Sequence, residues 1–189
     1  MRLRQVSTSY DEPITVEELR EHLRIEHNDE DSYLTLLISS ARALAENFID
    51  GIIADREYLM IIDGFSSYIE LPVRPVNPES LTIVYFDENG DSQTIAGYEY
   101  KSDLFKTIIY PAYGESWPAT ETGFNKVTIT FTSGLAGAEG AMPNDVKHAI
   151  LMLASTLYDQ REDHTAQVRL HDVPTSSQML LDGYKKVIL

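Results

Sequence analysis

The spacing of apolar residues changes twice along this 189-residue chain, and this limits the folds that the chain can adopt. Residues 15–51 and 143–161 repeat apolar side chains every three or four positions, which is the period of an amphipathic helix. Between them, residues 56–133 hold short runs of β-branched and aromatic residues separated by Gly or Pro, which is typical of strands. Because the two kinds of element occur in separate runs, the sequence predicts an α+β protein rather than an alternating α/β fold.

The N-terminal end is predicted to contain two helices. Thr15 and Glu18 have the spacing of a capping box, so a short helix is expected over residues 15–24. A longer helix is expected to begin at Asn28 or Asp29 and to end at Gly51. Its inward face is predicted to hold seven residues: Tyr33, Leu36, Leu37, Ala41, Leu44, Ala45 and Phe48.

The C-terminal end is predicted to be helical after a flexible, glycine-containing loop at residues 133–140. Pro143 can begin a helix, since the first turn needs no amide donor, and this helix is expected to end near Arg161. The polar residues 162–174 are interpreted as an extended or mobile connection. A shorter helix is then expected over residues 175–187. Its inward residues are predicted to be Met179, Leu180 and Tyr184.

The middle of the chain is predicted to form strands at residues 58–62, 68–71, 81–86, 98–101, 104–110 and 126–132. Residues 87–90 are expected to form a type I′ hairpin turn, because Asn-Gly adopts positive φ angles at low cost. The chain therefore divides into three predicted segments. Residues 1–55 and 134–189 form helical ends that pack together, and residues 56–133 form a β-rich insertion between them.

The charge balance argues against tight nucleic-acid binding, because 30 acidic residues against 15 basic ones give a net charge of −15. The chain has no cysteine, which excludes disulfides and thiolate chemistry. No apolar run approaches the roughly 18 residues of a membrane span, so no membrane association is expected. Residues 1–13 lack the apolar core of a signal peptide.

The five histidines are candidates for catalytic or metal-binding residues. His22 and His27 lie among acidic helical residues without an HExxH partner, so we interpret them as surface residues. Carboxylates adjoin imidazoles at residues 162–164 and 171–172, but a mobile connection lacks the fixed geometry that catalysis and metal binding need. Trp117, the sole tryptophan, is predicted to anchor its loop against a core rather than to be an exposed contact hot spot.

Two further patterns imitate ligand-binding motifs. Asp87, Asn89 and Asp91 resemble the first ligands of a calcium loop, but the glycine falls at position four instead of six, and a hairpin turn explains them better. The glycines at positions 134, 137 and 140 recur without the lysine of a phosphate-binding loop, so loop flexibility is the preferred interpretation. No catalytic, cofactor-binding or metal-binding residue is predicted.

Several stretches carry a family resemblance. The first stretch, residues 14–25, is followed by an acidic break and by the predicted helix to Gly51, which contains Ala41-Arg42. The second stretch is Ser116-Trp-Pro-Ala119, which precedes residues 127–134. Residues 142–158 are followed by Arg161-Glu162, and Val173-Pro174 precedes Leu180-Leu181 and Tyr184-Lys185. Their order and spacing resemble the head-tail connector family of tailed bacteriophages, specifically its larger members with a β insertion between helical ends. Lys185 departs from the pattern, because family members often have Arg there.

The resemblance implies a structural protein without enzymatic activity or cofactor. It implies a mainly helical connector core interrupted by the β insertion, and a ring of subunits below the portal in the neck between capsid and tail, with duplex DNA passing through the lumen without specific binding. The implied partners are the portal protein, a tail or stopper protein and further copies of the chain, with the portal as a template for the ring. The implied location is the virion neck, reached from the host cytoplasm during assembly.

Two hypotheses concern the surfaces of such a ring. Some acidic residues could add negative potential to the lumen or the ring surface, although a solvated helix face explains them equally well. These residues are Glu17, Glu18, Glu21, Asp29, Glu30 and Asp31. The β insertion is the candidate contact with the neighbouring subunit, and residues 175–189 are the candidate contact with the portal, because a tail that orders on binding can wrap a partner.

Three alternatives stay open at this point. Another neck or tail-completion protein would share the acidity and the lack of catalytic motifs. A small acid-base hydrolase would use paired carboxylates of the β region with shifted pKa values. A DNA-binding module is third, since it would need a strong, salt-dependent affinity for duplex DNA.

Overall fold

The computed structural model describes residues 1–6, 11–139, 141–160 and 175–186. The chain divides into two compact units. The β unit comprises the described residues of Met1–Tyr10 and Asp55–Gly140, and the helical unit comprises those of Asp11–Ala54 and Ala141–Leu189. All eight strands lie in the first unit and four of the five described helices lie in the second, which confirms the predicted α+β class.

The helices are α1 (Val16–Leu23), α2 (Asp31–Ile49), α3 (Leu135–Glu139), α4 (Asn144–Asp159) and α5 (Thr175–Leu181). A 3₁₀ turn, Asp182–Tyr184, follows α5. The predicted capping box is present at α1: the Glu18 amide donates to Thr15 Oγ1 at 3.2 Å, and the Thr15 amide donates to Glu18 Oε2 at 2.7 Å. These bonds satisfy two amides that the first helical turn leaves without partners.

The ends of α2 differ from the prediction by one to two residues. Glu30, rather than Asn28 or Asp29, is the N-cap, and it makes no side-chain capping bond. Asp50 ends the helix in the left-handed conformation, with φ of 54°, and the Gly51 amide donates to the Glu46 carbonyl at 3.1 Å. An aspartate tolerates this conformation better than most residues, so the glycine was not needed at that position.

The buried face of α2 is only partly the predicted one. Leu37, Ala41 and Ala45 are buried as predicted, together with four residues that the prediction left out: Leu34, Ile38, Arg42 and Ile49. Leu36 and Leu44, however, are 59% and 40% exposed. The apolar residues of α2 cover more than half of its circumference, so a periodicity of 3.6 identifies the helix without fixing which side faces the core.

The C-terminal helices also correct the prediction in detail. Pro143 precedes α4, which ends at Asp159. The apolar spacing predicts a stripe on this helix that ends in Leu157 and Tyr158; its first five residues are buried, whereas these last two are half-buried. The five buried residues are Val146, Ala149, Ile150, Leu153 and Ala154. In α5, Leu181 and Ser177 are the buried residues, whereas Met179, predicted to face inward, is 73% exposed.

The strands form two antiparallel sheets. They are β1 (Arg2–Gln5), β2 (Arg56–Ile62), β3 (Ile69–Glu70), β4 (Val76–Phe86), β5 (Ser92–Ile95), β6 (Tyr98–Ser102), β7 (Thr107–Pro111) and β8 (Val127–Ser133). The first sheet has the order β1-β2-β8-β4-β5 and the second has the order β3-β7-β6. The six predicted strands correspond to β2, β3, β4, β6, β7 and β8. β1 was not predicted, and it places the N-terminal residues in the β unit rather than with the helical end.

The hairpin between β4 and β5 is present, but its turn is not type I′. Within residues 87–90, Gly90 is the one residue with a positive φ, of 85°, and its amide donates to the Asp87 carbonyl at 2.9 Å. Asp87 Oδ1 accepts the amides of Asn89 and Asp91 at 2.9 and 3.0 Å. An aspartate at the first position and a glycine at the fourth favour a type I turn followed by a bulge, which explains the calcium-like spacing without a cation.

The glycine-rich segment after β8 is a short helix, α3, and not the predicted flexible loop. A Cβ at Gly134 would lie 2.0 Å from Asp55 Oδ1 and 2.6 Å from Asp55 Cα. The Gly137 amide donates to Asp55 Oδ1 at 3.0 Å, so this carboxylate caps α3 from the start of β2. These two glycines therefore permit a close approach of α3 to Asp55.

Candidate functional surfaces

The histidines do not form a metal site in the described part of the chain. The rings of His22 on α1 and His148 on α4 meet edge to face at 6.2 Å, and His27 Nδ1 lies 3.8 Å from Asp29 Oδ2. No group of three or more His, Asp or Glu among the described residues is placed to hold a metal ion. The pairs at residues 162–164 and 171–172 lie outside the described residues.

Trp117 is half-buried, and its ring stacks on Phe65 with the centroids 4.8 Å apart. Phe65 in turn meets Tyr85 of β4 edge to face at 5.8 Å. The tryptophan therefore anchors the β7-β8 loop through an aromatic pair, as predicted. Its indole also provides a fluorescence reporter that lies within the β unit.

Arg42 is the centre of an ion-pair network that the sequence did not predict. The side chain is 6% exposed, and its Nε donates to Glu12 Oε2 at 2.7 Å while one terminal nitrogen donates to Glu46 Oε2 at 2.7 Å. Glu46 Oε1 also accepts the Ile53 and Ala54 amides at 2.9 and 3.4 Å. Arg42 is the only charged residue between positions 32 and 45, which is the signal that could have identified it. The network joins the segment before α1 to the segment after α2.

Most of the acidic residues considered for a negatively charged lumen are engaged inside the helical unit. Glu17 lies 3.4 Å from Arg20, and Arg20 lies 3.3 Å from Asp31. Glu18 belongs to the capping box and lies 3.7 Å from Lys147, and Glu30 Oε2 accepts a hydrogen bond from the Tyr158 hydroxyl at 2.5 Å. Backbone hydrogen bonding and the Thr15 hydroxyl lower the pKa of Glu17. These contacts favour structural roles for most of the group. Glu21 and Asp29 are exposed, and the ion pair that the structure shows for Asp29 is the 3.8 Å contact with His27.

Large apolar side chains on the surface are the clearest candidates for docking, because contiguous apolar surface is typical of interaction sites. In the helical unit, the exposed ones are Leu36, Leu44 and Met179. In the β unit, besides Met1 and Leu3, they are Tyr68, Phe86, Tyr100, Tyr113 and Phe124. Across the described ranges, no helix is long and apolar enough to cross a membrane.

Comparison with known proteins gives one matching family model and several similar solved structures. Residues 13–100, slightly less than half of the chain, match the model of the phage gp6-like head-tail connector family. No curated protein sequence matches the chain.

Solved structures match over the whole chain. A chain in the neck of an empty gene transfer agent particle, computed with C6 symmetry, has a TM-score of 0.76 and 25% identity over 100% of this chain and 97% of that one. A chain in the native particle's neck, computed with C12 symmetry, has a TM-score of 0.68 and 24% identity, also over 100% of this chain and 97% of that one. The resemblance predicted from the sequence is thereby confirmed, and these matches support a structural neck or connector protein.

Proposed function

We propose that this connector forms a ring below the portal in the virion neck, and that duplex DNA passes through the lumen of the ring. The observation that carries the proposal is the full-length similarity to chains in necks that were computed with C6 and C12 symmetry. A ring of this kind requires each subunit to present two different complementary surfaces, since head-to-tail contacts close by rotation. The other partner is a tail or stopper protein, and assembly begins in the host cytoplasm.

The two compact units support different roles for the helical and the β-rich parts of each subunit. The helical unit, built from both ends of the chain, is proposed to be the connector core, and residues 56–133 are proposed to be an insertion into it. The acidic surface suits a channel, because carboxylates repel the phosphates of passing DNA. The net charge of −15 is consistent with passage without specific binding.

The C-terminal segment stays the proposed contact with the portal, but through a preformed surface. Leu181 is fully buried, and the Tyr184 hydroxyl donates to Asp145 Oδ1 at 3.0 Å. Lys185 Nζ lies 4.4 Å from the centroid of the Phe48 ring. Deleting residues 175–189 would therefore remove part of the core. Met179→Glu is the cleaner change, because this side chain is mostly exposed.

Electron microscopy of the chain mixed with its cognate portal protein tests the function directly. A stacked ring on the portal is the expected result. Binding to the tail tube instead of the portal would favour another neck or tail-completion protein. Loss of portal binding by Met179→Glu, with the fold intact by circular dichroism, would support the C-terminal contact, and unchanged binding would eliminate it.

An enzymatic function is the less supported alternative, and we propose that the chain is not an enzyme. A carboxylate hydrolase needs a general acid whose pKa is raised. Glu17 and Asp87 are described carboxyl groups with a clearly shifted pKa, and in both the pKa is lowered. Hydrolytic activity that disappears when a specific pair of carboxylates is replaced would revive the alternative.

A further inference from the structure

The exposed face of α2 has a composition that is unusual for this acidic chain. Every exposed position between residues 32 and 47 is uncharged: Ser32, Thr35, Leu36, Ala43, Leu44 and Asn47. A solvated helix face ordinarily carries charged residues, and 24% of this chain is charged. We call these six residues, with the half-buried Ser39 and Ser40, the neutral face.

Three of the four hydroxyl groups of the neutral face donate hydrogen bonds to carbonyl groups of the helix itself. Thr35 Oγ1 donates to the Asp31 carbonyl at 2.8 Å. Ser39 Oγ and Ser40 Oγ both donate to the Leu36 carbonyl at 2.9 Å. Burying an unpaired hydroxyl donor is costly, but these three donors already have partners. The face can therefore be covered by another protein without leaving those donors orphaned.

We propose that the neutral face of α2 is a lateral contact between neighbouring copies of this chain in the ring. This inference rests on the proposed ring. Each copy carries a net charge of −15, so two copies repel each other wherever acidic surfaces meet. The neutral face extends for about 22 Å along the helix, and copies can approach one another there without bringing carboxylates together. This contact differs from the one expected from the sequence, in which the β insertion meets the neighbouring subunit.

The geometry of a ring adds one constraint. If the neutral face packed against the same face of another copy, the result would be a two-fold dimer, which cannot extend into a ring through that contact alone. In the ring, the face must meet a different surface of the neighbour. A standard interface covers about 800 Å² on each partner, so the neutral face forms the apolar centre of a larger contact.

The test introduces one charge at the centre of the face. Ala43→Glu is compared with Ala96→Glu, a matched change at an exposed alanine between β5 and β6. Each variant is mixed with the cognate portal, and the copies bound per portal are counted by electron microscopy as concentration increases. We expect Ala96→Glu to form rings like the unmodified chain and Ala43→Glu to need at least about tenfold more protein, as one buried unpaired charge demands. Circular dichroism melting shows that both variants fold.

The outcomes separate the inference from the function on which it depends. If the unmodified chain forms no ring, the proposed function fails. If it forms rings and Ala43→Glu does so equally well, the neutral face is not the lateral contact. If a single copy of Ala43→Glu no longer binds the portal, the portal, rather than a second copy, covers the face. Any of these results overturns the inference.

Two further measurements use special properties of this chain. Because it has no cysteine, Leu36→Cys provides a single thiol. Efficient disulfide dimers of Leu36→Cys would show a two-fold contact and would contradict the ring geometry. Salt gives the second measurement, since it screens repulsion between acidic subunits. Ring occupancy should hold or rise between low and high salt, whereas a contact made of ion pairs would weaken.

Discussion

Replacing Gly134 with alanine should damage the β unit severely, although alanine is the smallest possible addition. The new Cβ would lie 2.0 Å from Asp55 Oδ1, 2.6 Å from Asp55 Cα and 2.8 Å from the Asp55 amide nitrogen. Ordinary contacts between carbon atoms are about 3.5–4.0 Å. The carboxylate could rotate away, but the two backbone atoms cannot, so α3 and the start of β2 would have to separate.

The expected cost follows from what holds these segments in place. Ser133 pairs with Arg56 in the sheet, its hydroxyl donates to the Pro75 carbonyl at 2.7 Å, and the Gly134 amide donates to the same carbonyl at 3.0 Å. Overpacking at a rigid site costs about 1–3 kcal/mol. Losing the Asp55 cap on α3 adds about 1 kcal/mol. We therefore expect Gly134→Ala to lower the free energy of unfolding of the β unit by about 2–4 kcal/mol.

Urea unfolding followed by Trp117 fluorescence reports on the stability of the β unit, because the chain's sole tryptophan lies within that unit. The thermal midpoint should fall by roughly 8–30 °C for a unit of this size. Gly97→Ala is the matched control, since nothing lies within 4 Å of a Cβ at that position. Its effect should stay within about 0.5 kcal/mol, or be slightly stabilising through the lower entropy of the unfolded chain.

A double substitution distinguishes a backbone clash from a side-chain clash. If only the carboxylate obstructed the new methyl group, Asp55→Ala would rescue Gly134→Ala. Because the Asp55 backbone obstructs it as well, we expect no rescue beyond the loss of the cap that both changes share. A Gly134→Ala protein as stable as Gly97→Ala would refute the argument that close backbone approach requires this glycine.

Three further predictions concern the helical ends and the hairpin. Thr15→Ala should lower stability by about 1 kcal/mol in urea denaturation followed by circular dichroism, because it removes the capping box; an unchanged midpoint would contradict this role. Arg42→Met should lower the free energy of unfolding by about 2–3 kcal/mol in the same measurement, because Glu12 and Glu46 lose their cation. Arg42→Lys should recover only part of this loss, because an ammonium group cannot make the forked contact of a guanidinium. Hydrogen bonds from the Asp91 amide, the Gln93 side chain and neighbouring amides lower the pKa of Asp87 below its ordinary 3.8. The stabilisation of the hairpin is therefore present above pH 3.8, and it is lost as the pH falls through the lower pKa of the folded state. Asp87→Asn should flatten the acid limb of a curve of stability against pH, and an unchanged limb would refute the assignment.

The sequence predicted the elements whose pattern is local. The capping box at Thr15, the buried stripe of α4 and the three central strands of the first sheet, β2, β8 and β4, follow from short-range spacing, and the structure contains them. β1 and β5 were missed because their four-residue sequences are polar and mostly exposed, so neither shows the apolar alternation that identifies a strand.

Long-range contacts explain the remaining errors. The glycines of α3 were interpreted as flexible because the residue that they approach, Asp55, lies about eighty positions earlier in the sequence. The Arg42 network likewise depends on Glu12, thirty residues away. No local pattern reveals which distant residue a side chain will contact. The spacing of the glycines was therefore recognised, but it was interpreted as loop flexibility instead of close packing against Asp55.

The misassigned face of α2 follows from a different cause, and it bears directly on assembly. A periodicity argument assumes that apolar residues of a helix are buried within the same chain. A protein that works in a ring needs a second class of apolar residue, which is exposed in the single chain and covered in the assembly. Leu36 and Leu44 have the spacing of core residues but lie on the surface of the described structure. An apolar helical residue predicted to be buried but found exposed is therefore a candidate for a contact with another protein, as proposed for Leu36 with a neighbouring copy and for Met179 with the portal.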